Sequence, residues 1–167
     1  MTNLISNQKN ALVELKHIEL ELINGRHQHL RHFVDQYYCY KNNFVKRTGH
    51  ADWEGVVWNG FVSVEARQLG DRKQVVKEHV VPLRVVTQLL VELGKSSSLS
   101  CASIAVLLDK HVIFATISKR EDELLRKNKL TSSMPKCYHE KGDPLYNNLL
   151  ARYMAVGILL EDLQHSP

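Results

Sequence analysis

The stretch QVVKEHVVPLRVV, from Gln74 to Val86, contains the change of secondary structure around which the rest of the chain is organised. Its first part is rich in valine and predicts an extended segment over 73–81, because β-branched side chains pack well on a pleated surface. Pro82 suits the first turn of a helix, where its missing N–H costs nothing. The apolar residues that then recur on one helical face, up to Gly94, are Leu83, Val86, Leu89, Leu90 and Leu93.

Upstream of this stretch, the apolar spacing predicts two helices, over 8–23 and from 30 to about 40. Asn24-Gly25 separates them, because glycine takes the left-handed cap conformation without a side-chain penalty. The segment 41–60 contains three glycines and two tryptophans and predicts a loop with room for one short strand. A short helix is predicted over 61–69, where Gly70-Asp71 ends it.

Downstream, the serine-rich connector 95–100 predicts a cap for a helix through Leu108. The stretch HVIFATI, 111–117, is almost entirely apolar and predicts a buried strand. Ser118 and Glu121 match a capping box that starts a charged helix to about Asn128. A loop over 134–142 follows, and Asp143-Pro144 predicts the start of a final helix that carries Leu145, Leu149, Tyr153 and Val156, which Gly157 could interrupt.

These elements predict a mainly helical α+β fold with a small sheet of two or three strands. The chain has 167 residues, of which 44% are hydrophobic and 24% charged, so one packed core is expected and disorder is not. We expect a single domain over 1–167, made of four consecutive segments. These are a helical hairpin or kinked helix (1–40), an irregular aromatic-rich segment (41–72), a strand-helix-strand-helix core (73–130), and a loop with a C-terminal helix (131–167).

Composition also bears on location and partners. No apolar stretch approaches the roughly 20 residues that span a bilayer, and the first residues lack a signal-peptide pattern. The three cysteines, Cys39, Cys101 and Cys137, are an odd number without close spacing and predict free thiols in a reducing compartment. We therefore expect a cytoplasmic protein with no membrane partner. The net charge of +4 permits contact with nucleic acid but does not require it.

A carboxylate and an imidazole are adjacent near the end of the predicted strand, in Glu78-His79-Val80-Val81-Pro82. Hydrolysis of a phosphodiester needs a base for the attacking water and a divalent metal for the developing charge. Histidine suits the base and a carboxylate suits Mg²⁺. The alternative is structural: Glu78 pairs with Lys77 or Arg84, and His79 caps the helix that starts at Pro82.

This pentapeptide resembles the first half of the HNH, or ββα-metal, endonuclease motif, where an acid-histidine pair and a proline close the first strand. The resemblance implies that Glu78 binds the metal and His79 activates water, with Mg²⁺ as cofactor and Zn²⁺ or Mn²⁺ as alternatives. It also implies a ββα-metal-like core with a helical insertion, completed by the strand 111–117 and an acid of the next helix. The candidate acids are Glu121, Asp122 and Glu123, although a capping box and the helix dipole also explain them. The chain departs from the family pattern in two ways: about thirty residues separate the two strands, and the helix carries acids where Asn or His is usual.

Three further groups of residues could bind ligands. His29 and His32 share a helical face and could bind zinc, but no cysteine or carboxylate stands nearby to complete the site. Alternatively, these two histidines form a basic face together with His27, Arg26 and Arg31. Cys137 and His139 could supply two zinc ligands, although they lack a partner pair. The aromatic and basic residues over 37–58 suit single-stranded nucleic acid, or else they tether the loop to the core.

Two classes of function follow. The first is a metal-dependent endonuclease that hydrolyses phosphodiester bonds of DNA, with His79 as general base and with Glu78, Glu121 and Asp122 as metal ligands. The alternative is a non-catalytic module that binds nucleic acid or a protein partner, as in small phage-type or defence-related regulatory proteins. The cations assigned to nucleic acid are Arg26, Arg31, Lys46, Arg47, Arg72, Lys73 and Arg84.

Overall fold

The computed structural model describes residues 4–163, with side chains from residue 6 onward. The fold is α+β and mainly helical, with one small four-stranded mixed sheet, so the predicted fold class is confirmed. The chain divides into two compact units, Met1–Gly55 with Val86–Val112 (unit 1) and Val56–Val85 with Ile113–Pro167 (unit 2). Whether the chain is one domain stays a prediction.

The elements follow one another along the chain with short connections. The helices are α1 (Leu4–Ile23), α2 (Leu30–Lys41), α3 (Trp53–Val56), α4 (Val64–Leu69), α5 (Leu83–Gly94), α6 (Cys101–His111), α7 (Lys119–Lys127), α8 (Lys136–His139) and α9 (Ala151–Met154). The strands are β1 (Phe61–Ser63), β2 (Val75–His79), β3 (Phe114–Ser118) and β4 (Leu160–Asp162), and a 3₁₀ turn, Arg72–Gln74, precedes β2.

Unit 1 is built on helix packing. The spacing of Leu15, Ile18 and Leu22 buries one face of α1, which packs against α2 and α6. The chain leaves α1 through Gly25, whose φ of +64° is the left-handed conformation that favours glycine. The two predicted N-terminal helices are therefore confirmed, and α1 begins four residues earlier than predicted.

Unit 2 contains the sheet, whose strand order is β2-β3-β1-β4. The two central strands, β1 and β3, are parallel, and each edge strand is antiparallel to its neighbour. In the β2–β3 pair, Val75 lies opposite Ser118 and His79 lies opposite Phe114. One face of the sheet packs Ala115 and Ile117 against helical residues, together with Val80 just after β2, whereas Val75 belongs to a second cluster with Val62.

Two predicted elements of unit 2 have different bounds in the structure. The helix predicted over 61–69 is wrong for its first three residues, which form β1 because they pair with both β3 and β4. The strand predicted over 111–117 begins only at Phe114, because α6 continues through His111. The first error concerns residues whose conformation is decided by distant partners, which local spacing does not reveal.

The predicted C-terminal helix is wrong over most of its length. Residues 143–150 form turns, in which Asp143 accepts a hydrogen bond from the Leu145 N–H at 2.8 Å and Asn147 has a φ of +54°. Only the single turn α9 is helical, and the chain then forms β4. The predicted loop over 134–142 likewise contains the single turn α8.

Candidate functional site

Glu78 and His79 lie on opposite faces of β2, because successive side chains of a strand point to opposite sides. The Glu78 carboxylate accepts a hydrogen bond from Arg152 Nη2 at 2.7 Å. The His79 ring instead packs against the Phe114 ring, with centroids 4.3 Å apart. The two groups that the sequence suggests as metal ligand and base therefore have separate surroundings.

Arg152 is the residue that organises the end of β2. Its side chain is fully buried, with a relative exposure of 0%. Besides Glu78, its guanidinium donates to three backbone carbonyls at 2.5–3.2 Å, those of His79, Val80 and Leu130, and lies 3.5 Å from a fourth, that of Thr131. A buried cation is stable only when its charge and its N–H groups have partners, so Glu78 serves as the counter-ion of Arg152.

Arg152 was not recognised from the sequence as a residue of this site. Its partner Glu78 is 74 residues away in the chain, and its neighbours Ala151 and Tyr153 gave no local sign of a buried ion pair. One signal was present in the sequence: adjacent side chains of an extended strand point to opposite faces, so Glu78 and His79 were expected to have different neighbours.

Tyr153 completes the surroundings of Arg152. Its hydroxyl lies 3.4 Å from the His79 carbonyl oxygen, to which it donates, and its side chain is fully buried. Burial raises the pKa of Tyr153 well above its usual range, and the positive charge of Arg152 opposes that rise. The hydroxyl therefore stays protonated and acts as a hydrogen-bond donor.

Glu121 is occupied by the capping of α7. Its carboxylate accepts hydrogen bonds from the Ser118 N–H at 2.8 Å and from the Ser63 hydroxyl at 2.5 Å, while its own N–H donates to Ser118 Oγ. The predicted capping box is therefore confirmed. Ser118 Oγ also donates to the Glu65 carboxylate at 2.6 Å. The first turns of α4 and α7 are therefore joined by two hydrogen bonds, from Ser63 to Glu121 and from Ser118 to Glu65.

Glu65 is the more exposed acid of this pair. Hydrogen bonds from Arg120 and Ser118 lower the pKa of the Glu65 carboxyl, in spite of an opposing effect of burial. Asp122 forms an ion pair with Arg126 at 2.9 Å, one helical turn away. Both acids thus have cationic partners on α7.

The predicted metal ligands do not form a common site. The His79–Phe114 pair lies four residue steps along β2 and β3 from the Val75–Ser118 pair, after which α7 begins, a span of about 13 Å at roughly 3.3 Å per residue. Within residues 4–163, no group of three or more His, Cys, Asp or Glu side chains is arranged to hold a metal ion. Glu78, Glu121 and Asp122 do not fit a divalent cation, and we derive no step through one. The magnesium, zinc or manganese cofactor stays a prediction.

The other candidate ligands are also dispersed. His27 and His29 are exposed in the connection before α2, and His32 contacts the edge of the Phe33 ring, with centroids 5.6 Å apart. Cys137 and His139 both belong to the short helix α8. They show no further ligand in the described part of the chain.

The cations assigned to nucleic acid differ in their contacts. Arg26 forms an ion pair with Glu21 at 3.4 Å, and Arg72 donates to the Val75 carbonyl at 3.3 Å. Arg31, Lys73 and Arg84 are exposed. Lys46 and Arg47 are exposed as well, and no carboxylate of residues 6–163 forms an ion pair with either.

Lys46 and Arg47 lie in an ordered reversal of the chain, residues 46–50, which we name the basic turn. Val45 and Ala51 pair as an antiparallel bridge at its base. The Lys46 N–H donates to the His50 carbonyl at 2.8 Å, and the Gly49 N–H donates to the Lys46 carbonyl at 2.9 Å. The turn thus presents lysine, arginine and histidine side chains on a fixed backbone.

The aromatic residues near the basic turn are used within unit 1. Tyr38 and Phe44 are stacked, with centroids 6.0 Å apart and planes 12° apart. Burial raises the pKa of Tyr38 to about 12. These two rings anchor the start of the loop, which favours the tethering interpretation of the aromatic residues.

No family model, curated protein or solved structure matches the chain. Of the helices within residues 4–163, none combines the length and the apolar character that a membrane crossing needs.

Proposed function

We propose that this protein binds DNA through the phosphate backbone without catalysing a reaction, and that the basic turn is its main contact. The observation that carries the proposal is the exposed Lys46-Arg47 pair, which lacks ion-pairing carboxylates in the described part of the chain. Such cations displace condensed counter-ions when they meet phosphates, and this displacement drives much of non-specific binding.

The ordered backbone of the basic turn supports this function. The bridge between Val45 and Ala51 and the hydrogen bonds of Lys46 hold the turn before any ligand arrives. A preformed contact surface loses less conformational entropy on binding. His50 adds a third side chain that can approach a phosphate from the same turn.

The surroundings of Glu78 favour binding over catalysis. Its carboxylate serves a buried arginine, and the other acids assigned to a metal have partners of their own. Glu78 would have to leave its ion pair with the buried Arg152 before it could bind a metal cation, and breaking such a pair costs several kcal/mol.

The test is a salt series of DNA affinity. Fluorescence anisotropy with a labelled duplex should show a log–log slope that becomes shallower by about 1.8 in the double variant Lys46→Ala/Arg47→Ala, since each duplex phosphate contact contributes about 0.9. The matched control is Lys95→Ala/Lys136→Ala, which removes the same charge from exposed lysines that pair with Glu92 and Glu140. Equal slopes for the double variant and wild type would refute the basic turn as a contact, and no DNA binding at all would refute the function.

Endonuclease activity is the second candidate. It is favoured by the order of β2, β3 and α7, which is the strand-strand-helix order that the resemblance implies. Incubation of plasmid DNA with Mg²⁺, Mn²⁺, Ni²⁺ or Zn²⁺ tests it directly. Cleavage that His79→Ala abolishes while the fold survives would replace the binding proposal, and absence of cleavage with every ion would remove the second candidate.

A further inference from the structure

The connection after α7 combines positive charge with a fixed backbone. We name residues 128–133 the Arg152 loop. Lys129 in the loop and Lys127 just before it are exposed, and neither forms an ion pair within the described residues. Arg126, by contrast, is paired with Asp122. Two positive charges that an anion could neutralise therefore lie in the Arg152 loop and directly before it.

The backbone of the Arg152 loop is held by several contacts. The Lys129 N–H donates to the Arg126 carbonyl at 3.0 Å, and the Leu130 N–H donates to the Leu125 carbonyl at 2.9 Å. Leu130 is buried, and the Ser133 hydroxyl donates to the Lys129 carbonyl at 2.9 Å. These contacts fix the loop before a ligand binds.

Arg152 sets the direction of two peptide groups in the loop. Its Nη1 atom lies 2.5 Å from the Leu130 carbonyl oxygen and 3.5 Å from that of Thr131. The peptide bonds are trans, so the C=O and N–H of each peptide point in opposite directions. The N–H groups of Thr131 and Ser132 therefore point away from the guanidinium. Both residues are exposed, and neither N–H has an acceptor within residues 4–163.

We propose that the Arg152 loop is a second binding site, specific for a phosphate group. The backbone N–H groups and hydroxyls of Thr131 and Ser132 would donate to the phosphate oxygens, and Lys127 and Lys129 would neutralise its charge. Successive outward N–H groups form an anion-binding concavity in many proteins, and charged acceptors strengthen such hydrogen bonds. The site belongs to unit 2 and is independent of the basic turn.

The phosphate could be a phosphodiester of nucleic acid or a free phosphate ion, and NMR of the full chain distinguishes them. A ¹⁵N spectrum is recorded during titration with inorganic phosphate in one arm and with a short DNA duplex in the other. We expect the amide signals of Thr131 and Ser132 to shift and saturate. In the double variant Lys127→Ala/Lys129→Ala, we expect the midpoint of that shift to rise about tenfold. The matched control, Lys110→Ala/Lys141→Ala, removes two other exposed lysines and should keep the wild-type midpoint.

The outcomes separate this proposal from the proposed function. Shifts with the duplex alone assign the site to phosphodiesters, and shifts with both titrants or with the ion alone assign it to the phosphate group itself. No shift of either amide in both arms, or an unchanged midpoint in a Lys127→Ala/Lys129→Ala variant with native circular dichroism, overturns the proposal. DNA affinity that depends on Lys46 and Arg47 but not on Lys127 and Lys129 would leave the basic turn intact while removing this site.

Discussion

Replacement of Glu78 by glutamine tests whether this acid is a structural counter-ion or a metal ligand. Glutamine keeps the shape and one acceptor oxygen for Arg152, but it leaves the buried guanidinium without its negative charge. Breaking a buried ion pair usually costs about 3–5 kcal/mol. Because the Glu78 side chain is 19% exposed and the carbonyl partners of Arg152 remain, we expect a loss of about 2–3 kcal/mol in the free energy of unfolding.

Arg152→Met should cost more, about 4–5 kcal/mol. This change leaves Glu78 without its cation and removes the donor of the His79, Val80 and Leu130 carbonyls. A buried acceptor that loses its donor costs about 1–3 kcal/mol, reduced where water can replace it. Such a loss is comparable with the whole stability of a small domain.

Urea unfolding followed by circular dichroism measures both variants. The midpoint should fall with an unchanged m-value, and the double variant Glu78→Gln/Arg152→Met should lose less than the sum by at least about 1 kcal/mol. Glu140→Gln is the matched control, because Glu140 pairs with Lys136 at the surface and such pairs are worth about 0–1 kcal/mol. A Glu78→Gln variant as stable as that control would refute the anchoring role of Glu78.

Three other predictions concern the caps and the titrating groups. Ser118→Ala should lower the free energy of unfolding by about 2 kcal/mol in urea, because it removes the cap of α7 and the donor of Glu65. The pKa of Glu65 is lowered in the folded state. The ionised carboxylate therefore stabilises the fold above the ordinary pKa of glutamate, and this stabilisation is lost as pH falls through the pKa of the folded state. Glu65→Gln should weaken the acid dependence of the melting temperature below about pH 4.5. Burial lowers the pKa of His111, so stability should fall as pH decreases from about 6.5 through the lower pKa of the folded state, and His111→Gln should reduce that dependence.

Each of these has its own check. Ser97→Ala changes an exposed serine of the connector before α6 and should leave stability within about 0.5 kcal/mol of wild type. If Ser118→Ala behaves in the same way, the capping argument fails. A melting temperature whose pH profile is identical in wild type and Glu65→Gln, or in wild type and His111→Gln, would contradict the corresponding assignment.

The parts of the fold that sequence analysis predicted correctly depend on local physics. The apolar spacing of α1 and the reciprocal bonds of Ser118 and Glu121 involve residues within four positions of each other. The parts it missed depend on distant partners. Phe61 belongs to a strand because Ala115 and Asp162 pair with it, and neither lies nearby in the chain.

The candidate site shows the same division. The Glu78-His79 pair was recognised as chemically unusual, and its position at the end of a strand was predicted. Its counter-ion was not, since only the folded sheet brings α9 to that end of β2. A short motif identifies the residue types that a reaction needs, but the partners already bound to those residues decide whether they are available for it.

The pairing of His79 with Phe114 also has a consequence for how the chain could change in length. Opposed residues of an antiparallel pair have Cα atoms roughly 5 Å apart, so the two ends of the segment 80–113 lie side by side. The Val80 N–H also donates to the Ile113 carbonyl at 2.8 Å. Because the two ends adjoin, residues added to the exposed connector at 95–98 would lengthen the segment without having to change the distance between β2 and β3, so the two strands should keep their register.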